Sequence, residues 1–164
     1  MTRYKQPVSV LVVIYTAPAS TGSGQAQDIK VLLLERADHP GYWQSVTGSR
    51  EEGEALRDTA IREVREETGL DARQYTLTDW QLQNVYEIYP HWRYRYPPDI
   101  THNTEHVFGL QLSQPVAVQL HSREHLNFQW LTWQEAAAKV FSPSNRAAIL
   151  QLAERGCCHR ETGG

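Results

Sequence analysis

Sulfur is scarce in this chain, which has two cysteines and one methionine among 164 residues. Cys157 and Cys158 are adjacent near the end, so they can neither close a long loop nor frame a zinc site. A reducing compartment, the cytoplasm, is the expected location. Long apolar runs are missing too. The stretch Val10 to Tyr15 falls far short of the ~18 residues that a membrane span needs. Arg3 and Lys5 ahead of Val8–Ala17, with Ala17-Pro18-Ala19 behind, imitate a secretory leader. The stretch is nevertheless rich in Val and Ile and has no long Leu run, which is the composition of a buried strand. Nor is there an excess of positive charge. The net charge is −3, so no global field holds a nucleic-acid backbone, and any polyanion has to be met locally.

What is present is enough for one domain of about 150 residues. The hydrophobic fraction is 40%, with five Trp and eight Tyr, a composition that folds rather than stays disordered. Residues 1–155 are expected to form this domain and 156–164 a tail. Val8–Tyr15 and Lys30–Glu35 are expected as strands, joined through the polar loop Ser20–Asp28. Trp43–Thr47 is expected as a third strand. Glu54–Thr68 has helical composition and stops at Gly69, a natural C-terminal cap. Further strands are expected at Leu77–Tyr89, His106–Leu112 and Asn127–Leu131, with the aromatic, Pro-rich connector Pro90–Thr104 between the first two. Helices are expected near Trp133–Val140 and Pro143–Arg155.

The first helix carries its charge in an unusual place. On a wheel of about 100° per residue, Leu56, Ala60, Val64 and Ile61 form a stripe from 0° to about 140°, while Glu67 falls at about 20°, Glu63 at about −20° and Glu66 at about −80°. Carboxylates thus lie within and beside the core-facing stripe. Glu63 is i, i+4 to Glu67 and i, i+3 to Glu66, so three negative groups converge and repel unless neutralised. A solvated acidic face helped by Arg57, Arg62 and Arg65 is the plain alternative. Against it stand the position of Glu67 and the preceding loop Gly48-Ser49-Arg50-Glu51-Glu52-Gly53-Glu54, which can approach phosphate oxygens closely. Oxygen ligands on one helix favour Mg²⁺ or Mn²⁺ shared with substrate phosphates. The chemistry indicated is metal-assisted attack on a phosphate chain.

Gly48, five residues, Glu54, seven residues, then Arg62-Glu63-Val64-Arg65-Glu66-Glu67-Thr68-Gly69-Leu70 resembles, at every fixed position, the Nudix box of hydrolases that cleave nucleoside diphosphates linked to another group. The resemblance implies an α/β fold, an α/β/α sandwich around a mixed β-sheet, with the box as a loop–helix–loop metal site and Mg²⁺ as cofactor. It makes Glu63 and Glu67 metal ligands, Glu66 a third ligand or water-orienting group, and Arg62 the partner that fixes a carboxylate.

Outside the box the chain is similar to the Nudix hydrolases of bacterial folate synthesis, which act on dihydroneopterin triphosphate. The similarity rests on Lys5 to Tyr15, on Tyr42-Trp43-Gln44-Ser45-Val46-Thr47-Gly48, on Arg95-Tyr96 with Asn103-Thr104-Glu105, on Glu124-His125-Leu126 with Trp130-Leu131, and on Ser144-Asn145-Arg146. Departures are the longer Ser20–Asp28 loop, the tail after Arg155, and Tyr at both ends of Tyr86-Glu87-Ile88-Tyr89. A pteridine ring wants an apolar or aromatic wall with a few placed polar groups, and Tyr86, Glu87, Ile88 and Tyr89 could supply both or be ordinary strand residues. Lys5, Arg36 and Thr47 resemble phosphate contacts, with surface ion pairing the alternative for the two cations. Ser142 resembles another substrate contact and equally suits a helix N-cap. The expected partner is a small pterin or nucleoside triphosphate, with neither nucleic acid nor membrane. Other nucleotide substrates stay open, as does single-stranded RNA on Trp92-Arg93-Tyr94-Arg95-Tyr96; the oligomeric state is not specified. An octahedral cation calls for a further acid from outside the helix. Glu124, just before a strand, is preferred over Glu105, for which pairing with Arg93 or Arg95 is the plain reading.

Overall fold

Strand β1 (Val8–Thr16) is apolar on both faces because both faces are covered, and so is β2 (Lys30–Arg36). The computed structural model describes residues 4–17 and 29–158. Val10, Val12 and Ile14 of β1 and Leu32 and Leu34 of β2 pack with Ala60 and Val64 of α1 (Leu56–Thr68). Leu11, Val13, Val31 and Leu33 face the other way, onto Ala136 and Ala137 of α2 (Trp133–Lys139) and Ala148, Ile149 and Leu152 of α3 (Pro143–Cys158). Each fully buried aliphatic side chain stabilises this sandwich by about 1.5–3 kcal/mol. The layers are α/β/α, as the resemblance implied.

The sheet is mixed and seven-stranded. β1 runs parallel to β6 (His102–Leu112) from Val8↔Thr104 to Thr16↔Leu112, and β6 pairs antiparallel with β5 (Thr76–Glu87). On its other edge β1 meets β2 only at Tyr15↔Val31 and Thr16↔Lys30. Beyond that the two strands part, and the gap is filled by β3 (Trp43–Gln44) against β2 and β4 (Val46–Ser49) against β1. The free edge of β2 pairs with β7 (His125–Thr132).

The segment expected as one strand, Trp43–Thr47, is therefore two, because it changes partner at Ser45. Leaving one ladder for the other strands the Ser45 N–H, and Asn145 takes its place: Ser45 N donates to Asn145 Oδ1 at 2.8 Å while Asn145 Nδ2 donates to Ser45 Oγ at 3.0 Å. Helix α1 begins at Leu56 instead of Glu54, since the Glu54 carboxylate is engaged with the loop and with Arg62. It ends on Gly69, whose φ of 77° and bond to the Arg65 carbonyl close the helix. β6 starts at His102, earlier than expected, because its first inward residues, Asn103 and Glu105, are polar and buried and give no apolar alternation. β5 stops at Glu87, leaving Ile88 and Tyr89 outside it, and Pro90–Arg95 forms a 3-10 helix. α3 runs on to Cys158, past the Arg155 expected. The Ser20–Asp28 loop and residues 159–164 lie outside the described residues. Among the described residues no helix is long and apolar enough to cross a membrane.

Candidate active site

The helical wheel places its carboxylates as the sequence spacing dictates. Glu63 and Glu67 are buried and Glu66 is turned outward. Arg62 makes the cluster tolerable at its open side. It grips Glu54 with two bonds of 2.9 Å, meets Glu63 Oε1 at 2.7 Å and Glu66 Oε2 at 3.4 Å, and donates to the Ser49 carbonyl at 3.0 Å. Charge-assisted bonds of this kind are about twice as strong as neutral ones, and they tie the glycine loop to the helix. The Arg62 guanidinium in turn holds the Glu54 carboxyl down at about 2. Gly48 leaves room for the Glu63 carboxylate, which a Cβ there would overlap and displace.

Deeper in, the cluster lacks a counter-charge. Burial, followed by the neighbouring carboxylates Glu63 and Glu124, pushes the Glu67 carboxyl well up. Burial likewise raises Glu63, against the pull of Arg62. The two share a hydrogen bond, the arrangement of two acids that cannot both ionise unaided. Glu67 Oε1 lies 3.4 Å from Nε2 of His125. Desolvation, then Arg36, moves that imidazole down to about 4, so it is neutral and supplies no charge. Glu67 Oε2 and His125 Nδ1 are buried without hydrogen-bond partners. Ligand atoms of Glu67, Glu124 and His125 lie within 4.8 Å of one another. An orphaned carboxylate oxygen, mutual repulsion and convergent donors are what a divalent cation would relieve.

A cavity of about 870 Å³ opens from this cluster. Lys5, Arg36 and Arg95 are on its wall. Lys5 is exposed as a residue, yet desolvation and then Arg95 lower the pKa of its amine. Arg36 and Arg95 both bond Asp38, at 2.7 Å and 2.9 Å, which neutralises part of their charge and fixes their direction. The Arg36 guanidinium lies 4.4 Å over the Trp92 ring. Phe141 stacks on Tyr42 at 4.4 Å between centroids and sits within 6.1 Å of Tyr89 and Trp92, so an aromatic wall adjoins the cations.

Glu63, Glu66, Glu67, Glu124, Lys5, Arg36, Thr47, Tyr86, Glu87, Ile88, Tyr89 and Ser142 all line this one cavity. Arg62 is not on its wall. Ser142 also acts at the start of α3, accepting from Asn145 N at 3.4 Å. Glu105 corrects its plain reading: Arg95 is taken by Asp38, and the neighbours of Glu105 are Asn84 and Ser144. Of Trp92-Arg93-Tyr94-Arg95-Tyr96, residues Trp92, Arg95 and Tyr96 turn into the cavity, while Tyr94 is 70% exposed. His125, Asp38, Ser9, Phe141 and the Ser45–Asn145 clasp were not singled out. His125 carried a sequence signal in its place beside Glu124, and Ser9, Ser45 and Asn145 lie in segments on which the similarity rests.

A mixed sheet opened over a loop–helix–loop, with carboxylates on the helix facing cations across a cavity, defines a Nudix hydrolase. The NUDIX domain profile matches residues 5–152, and the chain belongs to this family of enzymes acting on phosphoric anhydride bonds. It is 50% identical over 152 residues to the dihydroneopterin triphosphate diphosphatase of Escherichia coli (strain K12), covering 91% of this chain and 93% of that one. It is 40% identical over 151 residues to the protein of the same name in Haemophilus influenzae, covering 91% and 89%. The solved structure of the E. coli dihydroneopterin triphosphate pyrophosphohydrolase superimposes with a TM-score of 0.79 at 45% identity, over 93% of this chain and 98% of that one.

Proposed function

We propose that this chain hydrolyses dihydroneopterin triphosphate, with water, to dihydroneopterin monophosphate and pyrophosphate, with Mg²⁺ or Mn²⁺ as cofactor, in the cytoplasm. The observation that supports the reading is a cavity bounded by buried carboxylates, cationic side chains and an aromatic wall, in a chain half identical to enzymes named for this substrate. Glu63, Glu67 and Glu124 would hold the cation, with Glu66 a further ligand or the group that orients water. The cation supplies charge neutralisation and polarisation of a phosphoryl oxygen.

The chain's own residues account for the rest. Lys5, Arg36 and Arg95 hold the phosphate oxygens, and Asp38 keeps the two guanidinium groups aimed. Thr47 lies beside Gly48, where the backbone can approach a phosphate. Tyr89 and Ile88 give the ring an apolar wall. Arg62 positions Glu63 and leaves the cavity itself free.

A panel of dihydroneopterin triphosphate, nucleoside triphosphates, dinucleoside polyphosphates and nucleotide sugars, assayed with Mg²⁺ and with product identification, tests the reading. Pyrophosphate with dihydroneopterin monophosphate at the highest kcat/KM is expected. Faster turnover of a nucleotide sugar would overturn the substrate, and RNA binding with no hydrolysis would overturn the enzymatic reading itself.

A further inference from the structure

Glu105 is a buried carboxylate that the phosphate chemistry leaves unused. It lines the cavity, is 4% exposed, and makes no ion pair among the described residues. Its neighbours are the Ser144 hydroxyl and, at a long 3.5 Å, the Asn84 amide. Register explains the company it keeps. Ser9 of β1 and Asn84 of β5 are both opposite Glu105 of β6, and residues paired across a sheet share a face. Ser9, Glu105 and Asn84 therefore form a polar row across three strands, with Ser144 of the first turn of α3 next to it.

Two hydroxyls, Ser9 in this row and Tyr86 beside it, have a hydrogen to give. Asn103, 1% exposed, donates to Ser9 Oγ at 2.7 Å and to Tyr86 Oη at 3.1 Å. Each oxygen is thus occupied as an acceptor, and neither hydroxyl hydrogen finds an acceptor among the described residues. Both side chains line the cavity. Burial, and then the charge of Glu105, keep the Tyr86 phenol protonated. The wall therefore offers a carboxylate acceptor flanked by hydroxyl donors. Burying such groups costs free energy until a ligand pairs them.

We infer that Glu105, Ser9 and Tyr86 read the edge of a 2-amino-4-oxopyrimidine ring: the carboxylate accepts from the ring N3–H and the 2-amino group, and the hydroxyls donate to the 4-oxygen. This deepens the proposed function and rests on it, since that edge is the pyrimidine edge of a pterin. Guanine presents the same edge. Adenine presents an unprotonated ring nitrogen, an acceptor, where the carboxylate also needs a donor. A site built for donors rejects a ring lacking them because its own polar groups stay unpaired. The aromatic wall serves either ring, so the discrimination falls to Glu105.

The test separates ring recognition from catalysis by using probes without phosphates. Neopterin, guanosine and adenosine are titrated into metal-free wild-type protein, Glu105→Gln and Tyr86→Phe, with circular dichroism and unfolding midpoints confirming that each variant is folded. Wild type is expected to bind neopterin and guanosine at least ~10-fold more tightly than adenosine. Glu105→Gln is expected to weaken neopterin and guanosine by ~10- to 10²-fold, the scale of hydrogen bonds to a charged group, and to leave adenosine unchanged. Tyr86→Phe, which keeps the ring, is expected to show a smaller loss of the same pattern. In turnover Glu105→Gln raises KM and leaves both kcat and the Mg²⁺ requirement close to wild type. Unchanged neopterin binding in both variants, or a raised Mg²⁺ requirement in Glu105→Gln, would overturn the assignment. Should the wild type prefer nucleoside triphosphates, the substrate reading fails alone, and the guanosine-to-adenosine ratio still decides the role of Glu105.

Discussion

Glu67 is among the largest side chains that the fold buries completely, and a carboxylate there has to take up a proton or meet a cation. Its position was visible on the helical wheel, because i, i+4 spacing forces Glu63 and Glu67 onto one face whatever surrounds them. The role of the cations was less visible. Arg36 and Asp38 are two positions apart, but nothing in the spacing says that the same aspartate also aims Arg95, since that contact joins segments far apart in the chain. Replacing Glu63 or Glu67 by Gln is expected to lower kcat by at least ~10²-fold, the scale of a lost metal-positioned or acid–base contribution. Single-turnover rates on folded protein check this, and unchanged rates would refute the carboxylate-helix reading. For the ligand outside α1, activity against Mg²⁺ concentration is the measurement. Glu124→Gln is expected to raise the metal requirement strongly and Glu105→Gln to leave it nearly unchanged, because only Glu124 joins Glu67 and His125 in one group. The reverse pattern would exchange the two roles.

Elements were legible where burial is uniform and obscure where it serves the cavity. β1, β2 and α1 follow from apolar runs and helical spacing, and Gly69 closes α1 as a glycine in the left-handed region does. The start of β6 was hidden because its inward residues serve the cavity, Glu105 on the wall and Asn103 by holding Ser9 and Tyr86, and they break the alternation that marks a strand. The break at Ser45 was hidden for a different reason: the residue that replaces the missing ladder bond, Asn145, is a hundred positions away. That clasp lets Gln44 follow β2 while Thr47 and Gly48 follow β1, which brings both strands to the cavity wall. Asn145→Ala is expected to cost about 1–3 kcal/mol, the penalty for leaving a buried N–H unpaired, measured as a lowered midpoint in urea unfolding. Asn145→Asp, which keeps the acceptor for Ser45 N, should recover part of the loss. An unchanged midpoint in Asn145→Ala would mean that the partner switch at Ser45 holds without its clasp.

For the whole molecule, the carboxylates divide into two sets with opposite effects of pH on stability. Glu54, held at about 2 by Arg62 against an ordinary value of 4.5, binds protons more readily when unfolded. Its contribution is therefore present above about 4.5 and is lost as the pH falls through about 2. Glu63 is pushed up to about 7 from 4.5, chiefly by burial, so the folded state holds that proton and stability is lost as the pH rises from about 4.5 to about 7. His125, moved down to about 4 from 6.5, acts in the opposite sense, its contribution rising with pH from about 4 to 6.5. Above 6.5 the histidine no longer changes, and the protons held by Glu63 and Glu67 turn the slope downward. Metal-free protein is accordingly expected to lose thermal stability from about pH 6.5 to 8, and Glu63→Gln to flatten that decline. On the proposed metal site, a divalent cation would take the place of the proton held by these carboxylates, and a ligand that binds only the folded state stabilises it by mass action. Added Mg²⁺ is therefore expected to raise Tm more at pH 8 than at pH 6, and chelation to remove the difference. Scanning calorimetry at both pH values, with and without Mg²⁺, checks this. An equal Mg²⁺ effect at the two pH values would mean that metal and proton do not compete for the buried pair.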